Sequence, residues 1–533
     1  MTTMFDMHTL VERYGLKAIA SSAKQEGDCF VFEVSNETLR GIVQTLKHDH
    51  ALPLKTVVAT DEREARGVFR IHYVFGVPKE NFFLVLVLPV QSGVQTFPSL
   101  TPLSQEFSVY EQEIMTFFGL VPEGHPQANR IMLHQENYAA DVYPLRKDFA
   151  WNTKVEAPQE KTVPTFQKYE GEGVYEIPVG PVHAGIIEPG HFRFSVLGEE
   201  ILRLEPRLGY VHKGTEKLFE QLPLEKKLVL SERISGDSSY HHALAFALSV
   251  EKLAKVTVPV RAKLLRTVYG ELERLANHFN DLAFIMLDTG LSFGGSHGSR
   301  LRERVMQWNE RLSGSRFLRG VITFGGVTRD MDGATLQALH DDLEILEKDF
   351  MEVLGAVKES DSMQNRLKGT GALDAQVARD HGAVGIAARA CGQEVDARAD
   401  YPYAAYDMMQ FGVMTENSGD VYARFRVRAR EVTQSFRLLN QALALLVHES
   451  GAIVTTLPKL TANQHAVSVV EGWRGDIVYF VMTDNAGVIS RVKVRDPSFL
   501  NWQLFPYVIG RDMVPDFPLI NKSFNLSYTG NDL

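Results

Sequence analysis

Seven apolar residues in a row, Phe82-Phe-Leu-Val-Leu-Val-Leu88, are stopped by Pro89. Because every position is apolar, and not every second one, the run predicts a central strand covered on both faces. Upstream, Phe30-Val-Phe-Glu-Val34 reads as a second strand. With a polar, helix-like opening, these segments predict an α/β module over residues 1–150. From Trp151 to Gly173 the chain turns polar, with Pro158, Pro164 and Gly171-Glu-Gly173 and no sustained period; this is the predicted linker. Beyond it, Leu264, Val268, Leu272, Leu275, Phe279, Leu282 and Met286 step by four or three. That spacing predicts a long helix with one buried stripe and Pro259 in its first turn. A second helix is predicted over Val432–Val447, with Phe436, Leu439, Leu443 and Leu446 inward. The arginines before it, Arg424, Arg426, Arg428 and Arg430, read as a solvated or partner-facing surface. Ile477–Met482 and Ile489–Arg495, separated by Asp484-Asn-Ala-Gly487, predict a hairpin.

Composition narrows the class. A chain of 533 residues suggests two to four domains, and 44% hydrophobic with 23% charged residues is ordinary for a globular protein. The net charge of −10 gives no basic footprint for nucleic acid. The start Met1-Thr-Thr-Met-Phe-Asp-Met-His8 lacks the basic and apolar regions of a secretory signal. The longest strongly apolar run falls well short of the roughly 20 residues a membrane helix needs. Two cysteines, Cys29 and Cys391, build no disulfide framework, in keeping with a reducing cytoplasm. Neither a GxGxxG after a strand nor a P-loop is present, so dinucleotide and P-loop folds gain no support.

Two motif sets carry a resemblance. Tyr110-Glu-Gln-Glu-Ile-Met-Thr-Phe-Phe-Gly-Leu120, Gly124-His-Pro126 and Tyr143-Pro-Leu-Arg-Lys-Asp148 combine turn residues with Arg146, Lys147 and Asp148, an expected exposed clasp for a neighbouring subunit. This set resembles the hydrophilic subunit of complex I, the NADH-quinone oxidoreductase, that adjoins its quinone-site subunit, and it implies docking, not catalysis. The second set is Gly180-Pro-Val-His-Ala-Gly-Ile-Ile-Glu-Pro-Gly-His-Phe192, Gly209-Tyr-Val-His-Lys-Gly-Thr-Glu-Lys217, Asn365-Arg-Leu-Lys-Gly-Thr-Gly371, Arg389-Ala-Cys-Gly392, Tyr401-Pro-Tyr403 and Asp496-Pro-Ser-Phe-Leu-Asn-Trp502. It resembles the quinone-site subunit of complex I and the large subunits of complex-I-like, membrane-bound nickel-iron hydrogenases of the formate hydrogenlyase and hydrogenase-4 kind. Together the two sets cover practically the whole chain, as if the two complex I subunits were fused. They imply an α+β fold: an N-terminal α/β docking domain (1–150), a linker (151–173), and a mainly helical, hydrogenase-like domain with peripheral strands (174–533).

In such hydrogenases one C-x-x-C follows E-R-V and another closes the chain. Here the frames read Glu232-Arg-Ile-Ser-Gly-Asp-Ser-Ser-Tyr-His-His242 and Ser523-Phe-Asn-Leu-Ser-Tyr-Thr-Gly-Asn-Asp-Leu533, so the four ligand positions are Ser235, Ser238, Ser527 and Gly530. A hydroxyl does not replace thiolate for nickel and iron. With Cys29 and Cys391 each alone, a rearranged ligand set is excluded as well. No metal and no other cofactor is therefore expected on this chain. The relatives carry a C-terminal peptide that is cut off after metal loading, whereas this sequence stops at Leu533, near the mature end, as expected for a chain with no metal to load.

By resemblance, Glu188 falls near a proton-moving glutamate of the hydrogenases, and His191 matches a histidine that faces the quinone headgroup in complex I. A carboxyl and an imidazole in a dry cavity can relay protons or bind an acceptor. His183, Lys213, His242 and Arg389 complete the expected pocket or cluster-proximal set. Lys213 stands where complex I has an arginine and keeps its charge without the planar fork. His242 also reads as a packed, satisfied core histidine. Complex I's quinone-facing tyrosine falls at Gly236 and a titrating histidine at Ile285, both losses for a quinone site. Ser235 or Ser238 with His241 or His242 supplies the residue types for acyl transfer, without a nucleophile-elbow context.

The resemblance implies a subunit on the cytoplasmic side of the inner membrane, attached through partners: a small iron-sulfur subunit, other hydrophilic electron-transfer subunits and antiporter-like membrane subunits. Two readings stand. In one, electrons from the partner's cluster reduce an acceptor, such as a quinone, in the metal-free pocket, coupled to ion translocation. In the other, the chain is a non-catalytic scaffold that couples the iron-sulfur subunit to the membrane arm. An open cavity favours the first and a pocket filled by side chains favours the second.

Overall fold

The computed structural model describes residues 6–158, 164, 166–184, 187–510 and 512–533. Five strands, β1 (Lys24–Glu26), β2 (Cys29–Glu33), β3 (Leu54–Glu62), β4 (Val68–Val77) and β5 (Phe82–Gln91), form the first sheet in the order β1-β2-β5-β4-β3. The apolar run lies in β5, which is parallel to β2 and antiparallel to β4. Alternate residues of β5 enter different cores. Leu84, Leu86 and Leu88 pack with Tyr110, Ile114 and Phe117 of α1 (Ser108–Phe118). Phe83, Val85 and Val87 pack against Val467, Val469, Val478 and Phe480, residues of the C-terminal sheet. The strand is covered on both faces because the other domain supplies the second cover.

After the polar segment, in which Trp151 is exposed, β6 (Val174–Val179), β7 (His191–Leu197) and β8 (Glu200–Arg207) form an antiparallel sheet. The largest core surrounds α2 (Ser239–Ala254), α3 (Val260–Asp288), α4 (Ser292–Ser313), α5 (Gly333–Glu359) and α7 (Val421–His448), with the short α6 (Gly385–Ala390) between α5 and α7. Strands β9 (His465–Glu471), β10 (Asp476–Thr483) and β11 (Ile489–Arg495) are antiparallel neighbours. Helix α3 buries every residue of its predicted stripe, and Pro259 is its N-cap, one residue before the first turn.

One expectation is corrected. Helix α7 begins at Val421 and so contains the arginine run; Arg424 and Arg428 are buried in it, whereas Arg426 and Arg430 are exposed and pair with Glu416. Residues four apart share a helix face, which puts Arg424 and Arg428 on the buried stripe. In the expected clasp, Lys147 and Asp148 are exposed and also bond within the chain: Lys147 Nζ donates to Ser490 O at 2.6 Å and pairs with Glu220 at 2.9 Å, and Asp148 pairs with Arg63 at 3.0 Å.

Candidate functional site

The four positions expected to correspond to metal ligands come together. Ser235 and Ser238 lie in the turn before α2, where Ser238 N donates to Ser235 O at 3.1 Å. Ser527 caps the final short helix, Tyr528–Asp532, by accepting from Gly530 N at 2.9 Å. Ser235 Oγ donates to Asp237 Oδ1 at 2.8 Å and lies within hydrogen-bond distance, 3.0 Å, of Ser527 Oγ. The last component is Arg474, from the turn between β9 and β10. Its Nη1 and Nη2 each reach Asp237 at 2.7 Å, Nη1 lies 3.4 Å from both Ser235 Oγ and Ser238 Oγ, and Nε donates to Asn525 O. The guanidinium stacks on Trp473 at 3.9 Å, and Trp473 Nε1 donates to Asp237 O. Bidentate pairing with a planar carboxylate fixes such a group in one orientation. Burial alone would raise the Asp237 carboxyl; Arg474 overrides it and holds the group below its ordinary range. One edge of Asp237 stays accessible, with its side chain 37% exposed, while Arg474 is buried.

This arrangement does not fit a nickel-iron centre. Hydroxyls and a backbone N–H replace soft donors, and a cation sits among them. At Gly530 even a Cβ is excluded, since it would lie 2.5 Å from Asp496 Cγ. Asp496 is itself fixed by Ser498 N at 2.7 Å and His242 Nε2 at 3.0 Å. Among the described residues, no group of three or more His, Cys, Asp or Glu side chains could hold a metal ion.

The other expected residues divide. His242 is fully buried with both ring nitrogens bonded, Nε2 to Asp496 and Nδ1 to Tyr479 OH at 3.1 Å; it is the satisfied core histidine. His241 pairs with Glu273 at 2.5 Å, and the hydroxyl hydrogen bonds of Ser235 and Ser238 involve neither imidazole, so an acyl-transfer dyad is not assembled. Glu188 Oε2 accepts from Thr529 N at 3.1 Å, two residues from Ser527, at the rim of the serine knot. Lys213 Nζ donates to Arg233 O at 2.9 Å, and burial lowers its pKa, with Glu188 and Asp532 opposing. His191 is 8% exposed at the start of β7; its Nδ1 lies 3.2 Å from Gly180 O and its buried Nε2 has no partner. Burial lowers its pKa, so the neutral ring donates from Nδ1 and keeps Nε2 as an acceptor. His183 Nε2 bonds Gly190 O at 2.7 Å within the same turn. Arg389 is elsewhere: fully buried in α6, it pairs with Glu431 at 2.8 Å and Glu471 at 2.7 Å. Tyr240 OH donates to Arg266 O at 2.7 Å inside the core, so it does not stand in for the tyrosine lost at Gly236. Ile285 is fully buried in α3.

Arg474 has no local signal in the sequence, since the serines it reaches lie more than 200 positions away; Asp496 opens one of the quoted motifs, but only the fold brings it to His242 and Gly530. Asp237 lies inside the first serine frame, but only its partner gives it a role.

Known proteins resemble this chain over most of its length. Residues 32–155 match the model of the respiratory-chain NADH dehydrogenase 30 Kd subunit. Residues 288–467 and 452–532 match that of the 49 Kd subunit. Hydrogenase-4 component G of Escherichia coli is 30% identical over 97% of this chain and 90% of its own length, and formate hydrogenlyase subunit 5 of the same organism is 29% identical over 96% and 90%. NADH-quinone oxidoreductase subunit 4 of Thermus thermophilus is 32% identical over 72% of this chain and 98% of its own. A chain in the structure of the membrane-bound sulfane sulfur reductase, an archaeal respiratory membrane complex, superposes with a TM-score of 0.64 at 26% identity, covering 68% of this chain and 100% of that one. The chain thus belongs to the family of fused 30 Kd and 49 Kd respiratory NADH dehydrogenase subunits that includes hydrogenase-4 component G and the large subunits of related membrane-bound complexes.

Proposed function

We propose that this chain is a coupling scaffold in the hydrophilic arm of a membrane-associated, complex-I-like oxidoreductase, with its former metal site converted into a charge-paired plug. It holds a small iron-sulfur subunit against the membrane arm, alongside other hydrophilic electron-transfer subunits and antiporter-like membrane subunits, on the cytoplasmic side of the inner membrane. Any iron-sulfur cluster belongs to the partner. The observation that carries this reading is the Arg474–Asp237 pair, which fills the space between Ser235, Ser238 and Ser527. A filled pocket binds no substrate at its centre. Among the described residues, no helix is long and apolar enough to cross a membrane, so membrane attachment through these residues runs through partners or through contacts at the surface.

A second reading keeps catalysis at the rim. Asp237 retains an exposed edge, Glu188 adjoins Ser527 through Thr529, and His191 keeps an unpartnered Nε2. A quinone-like or sulfane-sulfur acceptor bound there would be reduced by the partner's cluster. Glu188→Gln and His191→Ala in the assembled complex separate the two. The scaffold reading expects the iron-sulfur subunit to co-purify in wild-type amount and electron transfer through the complex to fall less than about twofold, well under the roughly 100-fold typical of a lost acid-base group. Large loss of turnover with assembly intact would instead establish acceptor chemistry at the rim.

A further inference from the structure

Strand β9 ends at Glu471, β10 begins at Asp476, and the turn between them carries Trp473 and Arg474. Glu471 and Asp476 line a cavity of about 630 Å³ between the two domains, together with Lys55 of β3. Three residues after Glu471, Arg474 plugs the serine knot. The turn is held on both flanks. Gly472 N donates to Gly475 O at 2.9 Å, and Arg274 donates to the carbonyls of Glu471 and Gly472 at 2.6 and 3.1 Å. Gly475 has φ +149°, and a Cβ on Gly385 would lie 2.0 Å from Arg474 O. A turn packed this closely moves as a unit, because dense contacts transmit displacement.

The charges facing Glu471 leave it the weakest-held acid of the group. Asp476 has two cations, Lys55 at 3.0 Å and Arg495 at 2.9 Å. Asp396 has Arg398 at 2.7 Å, which also holds Glu271 at 3.0 Å. Glu471 Oε1 has only Arg389 Nη1, and Arg389 is shared with Glu431, which also takes His278 at 2.8 Å. Glu471 Oε2 accepts from Ala397 N at 2.9 Å, and Tyr403 OH accepts from Glu471 N at 3.1 Å. Burial first, with repulsion from Asp396 and Asp476, pushes the Glu471 carboxyl up to about 7, whereas Glu431 is held far below its ordinary range because Arg389 and His278 override its burial.

We infer that Glu471 takes up and releases a solvent proton through the inter-domain cavity, and that the β9–β10 turn carries this change of charge to the Arg474 plug. The proton adds to a carboxylate oxygen, forming one O–H bond; Arg389 loses one anionic partner and keeps Glu431, and no electron moves. The inference rests on the reading of Arg474 as a plug, and it adds that the plug senses pH.

Trp473, stacked under Arg474, is the reporter, isolated from the other three tryptophans by the difference between wild-type protein and Trp473→Phe. Its emission in the purified full chain is expected to titrate with a midpoint near neutral pH, within a scan from about pH 5.5 to 8.5. Glu471→Gln should abolish this transition. Asp396→Asn, which removes a repelling charge, should move the midpoint down by about half a pH unit or more. An unchanged midpoint in Glu471→Gln, no Trp473-dependent transition in wild type, or an unmoved midpoint in Asp396→Asn overturns the inference, and Asp396→Asn decides alone where Glu471→Gln fails to fold. Arg474→Lys separates the two claims: Trp473 emission insensitive to it refutes the plug, whereas emission that responds while the transition survives Glu471→Gln refutes only the proton step.

Discussion

Gly530 has no room for a metal-binding side chain. Its final-helix N–H bonds Ser527 Oγ, and the space where a side chain would start is taken by Asp496. Asp496 cannot yield freely, because His242 and Ser498 hold both of its oxygens. Putting a cysteine back should therefore harm the fold without making a site. Gly530→Cys is expected to destabilise by about 1–3 kcal/mol, the usual range for overpacking a well-filled core, read as a lower urea midpoint at unchanged m-value. Ser527→Cys adds little bulk where a side chain already fits and should cost less than half as much. Equal effects of the two substitutions would show that Asp496 moves aside. At this scale the sequence is informative about which positions come together and uninformative about the side chain that joins them. Ser235, Ser238, Ser527 and Gly530 sit in recognisable frames, but the arginine that closes them comes from a turn far along the chain.

Helices show the reverse balance. The stripe from Leu264 to Met286 is legible because apolar residues alone mark it, and all seven positions are buried in α3. Apolar spacing predicts α7 only from Val432 onward, because Arg424 and Arg428 look like surface residues. They lie on the same stripe as Val421, Phe425, Val432 and Phe436, and spacing by four is the signal that charge obscures. Burial there is made possible by partners on other elements: Arg428 Nε meets Asp281 of α3 at 2.7 Å, and Arg424 Nε meets Ser523 Oγ at 2.8 Å. Asp281 also accepts from Asn525, whose carbonyl receives Arg474, so α3, α7 and the plug share one chain of contacts. Asp281→Ala would leave Arg428 buried and unpaired, a change that costs about 3–5 kcal/mol. The double variant Asp281→Leu/Arg428→Met should recover most of that loss, as measured by chemical denaturation. Recovery would show that the pair serves geometry more than stability.

Over the whole molecule, the α/β module and the helical domain are joined by charge as well as by β5. Lys493 of β11 pairs with Glu113 of α1 at 2.5 Å, and Asp476 of β10 pairs with Lys55 of β3 at 3.0 Å. Neither is visible in sequence, since a buried pair between domains looks like two ordinary surface residues until the domains are docked. The buried ionic network gives the molecule two opposite pH signatures. Glu271 is held by Arg398, Tyr406 and Ser435, and although burial opposes this, its folded pKa falls to about 2. A depressed folded pKa contributes stability that is present above the unfolded value of about 4.3 and is lost as pH falls toward 2. Glu471 is the reverse: raised by burial to about 7, it imposes no cost below about 4.3 and its full cost above its folded value. Both differences are on the order of 3–4 kcal/mol at most, at about 1.36 kcal/mol for each tenfold change in proton affinity. Glu271→Gln should thus lose most stability, relative to wild type, at neutral pH and converge with it in acid. Glu471→Gln should look relatively better at pH 8 than at pH 5. Urea unfolding of both variants and wild type at those pH values checks the prediction. Parallel pH dependence in the two variants would mean that the network titrates as one group, and that the separate assignment of a tightly paired Glu271 and a loosely held Glu471 is wrong.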